Sequence, residues 1–145
     1  MEKRFMGKVE AEANSGVYVT VASDIDIVQA RRQGRALAEQ IGFSASEATL
    51  VATAISELAR NIVHYAKTGE ILVRPVDGAG RCGITIVARD RGPGIADTKL
   101  AVREGYSTSA SLGLGLPGVR RIMDEFDIVS KVGCGTTVTV TKWLR

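Results

Sequence analysis

Cysteine, aromatic residues and long apolar runs are scarce in this chain, and each scarcity removes a class of function. Two cysteines in 145 residues, Cys82 and Cys134, are too few and too isolated for a disulfide framework or a zinc site. They are expected to be small buried apolar residues. Aromatic residues make up 5% of the chain, which leaves few platforms for stacking single-stranded nucleic acid. The net charge is +3, but the basic residues are scattered apart from the pairs Arg31–Arg32 and Arg120–Arg121. No nucleic-acid footprint is expected; a small anionic ligand or an acidic partner surface suits the balance better. No apolar run approaches the roughly 18 residues of a membrane span, and MEKRFMGKVEAEANSG lacks the apolar segment of a signal peptide. No membrane association and a cytoplasmic location are therefore expected. The single histidine, His64, has no nucleophile arrangement beside it and reads as an exposed helix residue. Neither G-x-x-x-x-G-K-[ST] nor the H-R-D and D-F-G motifs occur, which excludes Walker ATPases and ordinary protein kinases.

What is present is a chain with 45% hydrophobic residues, enough to bury one core. Residues 1–16 read as a polar lead-in and 17–145 as a single domain. Its organising stretch is SASEATLVATAISELARNIVHYA, Ser44 to Ala66. Ser44 and Glu47 have the spacing of a capping box, and neither Gly nor Pro interrupts the run to Ala66, so one long helix is predicted. Leu50, Val51, Ala54, Ile55, Leu58, Ile62 and Tyr65 form its core-facing stripe. Glu57 and Asn61, four residues apart and so about 5–6 Å between Cβ atoms, lie at the margin of that stripe. A carboxylate and an amide oxygen so placed suit an activated hydroxyl and a hard cation such as Mg²⁺; a surface pair tolerated by the helix is the plainer alternative.

Around that helix the pattern predicts a strand at 17–21, a helix capped at Ser23 or Asp24 and ended by Gly42, and strands at 71–76 and 82–90 about an Asp77–Gly80 turn. A short helical piece comes next near Thr98–Arg103, then a helix at Val119–Phe126 with Pro117 in its approach. Strands at 126–132 and 136–143 close the chain. The sum is a two-layer α/β sandwich: a mixed, largely antiparallel sheet of about five strands with three main helices on one face.

Two glycine clusters remain. Gly113, Gly115 and Gly118 satisfy G-x-G-x-x-G, but a Ser/Thr-rich loop precedes them rather than a strand, so a dinucleotide fold is rejected. Glycines feeding a helix N-terminus still suit an anion such as phosphate. Asp90, Gly92 and Gly94 stand at and just past the end of a strand, where a carboxylate can accept from an exocyclic amine; a plain turn is the alternative.

Taken in order, Glu57 with Asn61, Asp90 to Gly94, Gly113 to Gly118 and Gly135 with Thr136 resemble the four boxes of the GHKL or Bergerat ATP-binding fold. ISELARNI, GYSTSASLGLGLPGVRRIMDEF and the ending KWLR are similar to the RsbT-type serine/threonine switch kinases of the bacterial stressosome. The resemblance covers about Val17 to Arg145. It implies ATP and Mg²⁺ as cofactors, Glu57 as general base and Asn61 as the Mg²⁺ ligand. It also implies Asp90 with Thr136 for adenine, Gly92 and Gly94 as its floor, Gly113, Gly115 and Gly118 as a phosphate wall, and 95–112 as a mobile lid. The implied partners are a STAS-domain substrate protein, RsbS- or RsbR-like, and a downstream PP2C-type phosphatase or other output enzyme. A second function stays open, a nucleotide-dependent sequestering module with little catalysis. The chain departs from the sporulation-type anti-sigma kinases, which carry a lid arginine: no Lys or Arg lies between Gly105 and Gly113. The γ-phosphate would then rely on Mg²⁺, backbone amides, or a cation such as Arg103 or Arg120.

Overall fold

The computed structural model of the chain describes residues 16–96, 98–101 and 115–145. Strand β1 (Val17–Val21) leads into helix α1 (Asp24–Ile41), which packs on helix α2 (Ala45–Asn61). Strands β2 (Gly69–Gly78) and β3 (Arg81–Asp90) form a hairpin, and the short helix α3 (Thr98–Ala101) and helix α4 (Gly115–Ile122) come after it. Strands β4 (Glu125–Lys131) and β5 (Gly135–Trp143) complete a five-stranded sheet of order β1-β2-β3-β5-β4, in which all four pairs are antiparallel.

Register explains which face carries the helices. Val19, Ile71, Ala88 and Val138 lie across one row and Val73, Ile86 and Val140 across the next, and all are buried with Ala30, Val51, Ile55 and Leu58 of the helices. One residue along each strand the side chains turn over, and there Tyr18 and Val129 are exposed. On that outer face Thr85 and Thr141, opposite one another, share a hydrogen bond of 2.9 Å.

Local chemistry sets the helix ends. Asp26 accepts from the Ala22 amide at 2.9 Å ahead of α1, and Gly42, at φ +121°, ends it by donating to Ala38 and Glu39. Ser44 caps α2 by accepting from the Glu47 amide at 3.2 Å. The helix predicted to run evenly to Ala66 instead widens into a π turn over Ile62–Ala66, ended by Lys67 at φ +72°. Leu50 and Tyr65 are exposed rather than in the stripe: Leu50 lies at its edge, and the wider turn swings residues beyond Asn61 out of α-helical phase.

Two other expectations are corrected. The helix predicted at Val119–Phe126 begins at Gly115 and ends at Ile122. Lys142, itself buried, donates to the Ile122 carbonyl at 3.2 Å, and Asp124 bonds to both Thr141 and Trp143, so the chain is drawn into the sheet and Phe126 becomes a strand residue. Cys82 and Cys134 are exposed, not buried, because one stands at the hairpin end of β3 and the other in the turn between β4 and β5. Of the helical piece near Thr98–Arg103, residues 98–101 are helical and the rest lies outside the described residues.

The α1–α2 contact is set by Gly34, where a Cβ would come within 2.1 Å of the Ile55 Cδ1 methyl. Gly34→Ala alone is expected to destabilise the fold by about 1–3 kcal/mol through overpacking. In an Ile55→Val background, which removes that methyl, the same change should be neutral or stabilising by up to about 1 kcal/mol, because Ala is the better helix former. Urea denaturation of the four proteins measures the coupling; additive effects would contradict this packing.

Candidate functional site

Glu57 is 5% exposed, the one carboxylate buried among the described residues. A carboxylate withdrawn from water costs several kcal/mol unless it is paired and hydrogen-bonded, and both of its oxygens are engaged. Oε1 receives Arg60 Nη1 at 3.2 Å, from one turn further along α2. Oε2 receives the Gly115 amide at 3.1 Å, from the first residue of α4. The ion pair faces outward on one side only: the Arg60 side chain is 39% exposed against 7% for Glu57. Asn61, half-buried, ends α2 immediately beside this pair.

The second part of the site is built at the end of β3. Asp90 Oδ1 accepts from the Gly92 amide at 2.8 Å and from the Thr136 amide at 3.3 Å. Its other oxygen, Oδ2, makes no hydrogen bond among the described residues. Thr136 is buried and shares a 2.7 Å hydrogen bond with Ser130, whose Oγ also accepts from the Ile95 amide at 2.7 Å. The start of the segment after β3 is thus tied to the β4–β5 hairpin.

Glycine is required here because three pieces of backbone meet. A Cβ on Gly135, at φ +128°, would lie 2.1 Å from the Asp90 carbonyl oxygen, and one on Gly94, at φ +77°, 2.3 Å from the Lys131 carbonyl oxygen. On Gly92 it would lie 2.5 Å from Cβ of Ala66, the last residue of the π turn. The π turn therefore runs from Asn61 to the Asp90 loop, and π turns recur at functional sites. Through it, the two halves of the site are contiguous.

Of the residues singled out from sequence, Glu57 and Gly115 are in direct contact, as are Asp90, Gly92 and Thr136, while Gly94 braces the same loop. Gly118 lies inside α4 and is buried. Gly113, Arg103 and most of the 95–112 stretch lie outside the described residues. Arg120, on α4, is exposed. Sequence alone does not single out Arg60 or Ser130. The signal for Arg60 is its i, i+3 spacing from Glu57; nothing local marks Ser130, whose partners lie across a strand pair.

Among the described residues no three His, Cys, Asp or Glu side chains converge on a metal position. A cluster of that kind is not what Mg²⁺ needs: it keeps several waters and is held through one or two protein oxygens plus substrate phosphates, for which an amide oxygen such as that of Asn61 suffices. No helix among the described residues is long and apolar enough to cross a membrane.

Residues 20–142 match the histidine kinase-like ATPase domain. The chain belongs to that family. It is 47% identical over 127 residues to the serine/threonine-protein kinase RsbT of Bacillus subtilis (strain 168), covering 88% of this chain and 96% of that one. It is 31% identical over 121 residues to an anti-sigma F factor of Caldanaerobacter subterraneus subsp. tengcongensis, covering 79% and 83%. A mycobacterial sensor histidine kinase, MprB, shares the fold with a TM-score of 0.53 at 17% identity, over 88% of this chain and 97% of that one. As a histidine kinase-like ATPase domain the chain uses nucleotide, and the RsbT-type resemblance read from its motifs stands.

Gly135→Ala is expected to cost at least about 2 kcal/mol through strain and overpacking and to abolish nucleotide binding with it, by parting β5 from Asp90. Thermal melts with and without ATP check this; an unchanged melting temperature with ATP stabilisation retained would contradict it.

Proposed function

We propose that the chain is an ATP- and Mg²⁺-dependent protein-serine/threonine kinase. It phosphorylates a STAS-domain antagonist, RsbS- or RsbR-like, and is thereby released to activate a PP2C-type phosphatase or another output enzyme, in the cytoplasm. The observation that carries this reading is the buried Glu57 carboxylate beside the first amide of α4. A carboxylate so placed can take the proton of an attacking hydroxyl, and a helix N-terminus is where phosphate is favoured. The likeness to RsbT supports it.

In this reading Asp90 Oδ2 accepts from the adenine amine, with Thr136 behind it and Gly92 and Gly94 shaping the floor. Gly113, Gly115 and Gly118 form the phosphate wall. Asn61 would hold Mg²⁺, which when bound neutralises phosphate charge. Glu57 takes the proton from the acceptor Ser or Thr hydroxyl. The phosphoserine or phosphothreonine formed adds roughly two negative charges to the partner's surface, which repels the contact and frees the kinase.

A second reading, a sequestering module that holds nucleotide without turnover, is favoured by one observation: both Glu57 oxygens are engaged within the protein. Transfer of labelled γ-phosphate from ATP to a purified STAS-domain protein from the same genome decides between them. Glu57→Ala is expected to lower transfer by at least about 100-fold with ATP affinity nearly unchanged. Asn61→Ala should weaken both. Nucleotide binding without any transfer in the parent protein would favour the sequestering module, and equal loss of ATP binding in both variants would count against Glu57 as the base.

A further inference from the structure

The two hydrogen bonds to Glu57 are not equivalent. The Arg60 bond spans one helical turn within α2, so it does not depend on where α4 lies. The Gly115 bond crosses to α4, at the very amide that the proposed reading assigns to phosphate. Each carboxylate oxygen has two acceptor sites, and the site of Oε2 that faces α4 is the one the Gly115 amide holds. If a phosphate oxygen takes the Gly115 amide, Oε2 is released and Oε1 stays fixed. The carboxylate is then anchored at one end by a single charge-assisted hydrogen bond from Arg60 and open at the other.

We propose that Arg60 is a positioning residue for phosphoryl transfer, holding Oε1 of Glu57 so that Oε2, exchanged off the Gly115 amide by the nucleotide's phosphate, faces the acceptor hydroxyl. In the step this serves, the acceptor oxygen forms its bond to the γ-phosphorus, its proton passes to Glu57 Oε2, and the bond from the γ-phosphorus to the bridging oxygen breaks, leaving its electron pair on ADP. Arg60 touches neither substrate nor nucleotide. The proposal rests on Glu57 being the base. It also accounts for the engaged carboxylate without setting the kinase reading aside: the resting arrangement stores the base, and nucleotide releases it.

The test uses the full chain with ATP, Mg²⁺ and the same STAS-domain protein, comparing Arg60→Gln, Arg60→Lys and Glu57→Ala in single-turnover transfer and in direct ATP titration. Arg60→Gln keeps the length and the helix but not the charge. It is expected to lower transfer about tenfold or more while ATP affinity stays within about twofold, and Arg60→Lys should recover most of the rate by restoring a cation. Transfer at the parent rate in Arg60→Gln would overturn the proposal. So would a loss of ATP affinity as large as the loss of rate, which would make Arg60 a nucleotide ligand or a structural residue. If Glu57→Ala abolishes transfer while Arg60→Gln leaves it intact, the base stands and only the role of Arg60 falls. If Glu57→Ala transfers normally, both fall.

Discussion

A carboxylate buried to 5% exposure fixes how this fold is assembled. Glu57 belongs by position to the core side of α2, among Ala54, Ile55 and Leu58, and withdrawing it from water is tolerable only with donors on both oxygens. One donor is local, Arg60. The other has to come from elsewhere, and it is the first amide of α4. The same bond that satisfies the charge therefore sets the start of α4 against α2, and Lys142, donating to Ile122, pins the other end of α4 to the sheet. Helix α4 is thus held at both ends by polar contacts.

The other half of the site depends on backbone proximity rather than on charge. Gly135 against the Asp90 carbonyl and Gly94 against that of Lys131 bring the end of β3, the loop after it and the β4–β5 hairpin closer than any residue with a side chain permits. Asp90 Oδ1 then ties its own loop and β5 together through the amides of Gly92 and Thr136. That oxygen is used for structure. The π turn, packed on Gly92 through Ala66, transmits the position of Asn61 and α2 to this floor.

Much of this is legible in the sequence, for identifiable reasons. Strands such as VYVTV and CGITIVARD declare themselves by β-branched content, and the capping box at Ser44 marks the start of α2 as strongly as any local signal can. The family boxes are recoverable because their residues recur in order. What is not legible comes from tertiary competition. Nothing within MDEF shows that Asp124 is claimed by β5, so local pattern carries the preceding helix on to Phe126 when it ends at Ile122. The π turn has no local signature in IVHYA. The cysteines read as buried because the residue type usually is, whereas one stands at the hairpin end of β3 and the other in the turn between β4 and β5, and both are exposed. Arg60 is visible as a residue yet not as a partner, since i, i+3 spacing permits an ion pair without requiring it.

The most direct test of the central claim, that these two halves form one nucleotide site, is a crystal structure of the chain with a non-hydrolysable ATP analogue and Mg²⁺. The expected result is the adenine amine on Asp90 Oδ2, the phosphates at the Gly115 amide with Mg²⁺ beside Asn61, and Glu57 released from Gly115 while still paired with Arg60. An analogue bound away from Asp90, or bound there with Glu57 still on the Gly115 amide, would contradict it.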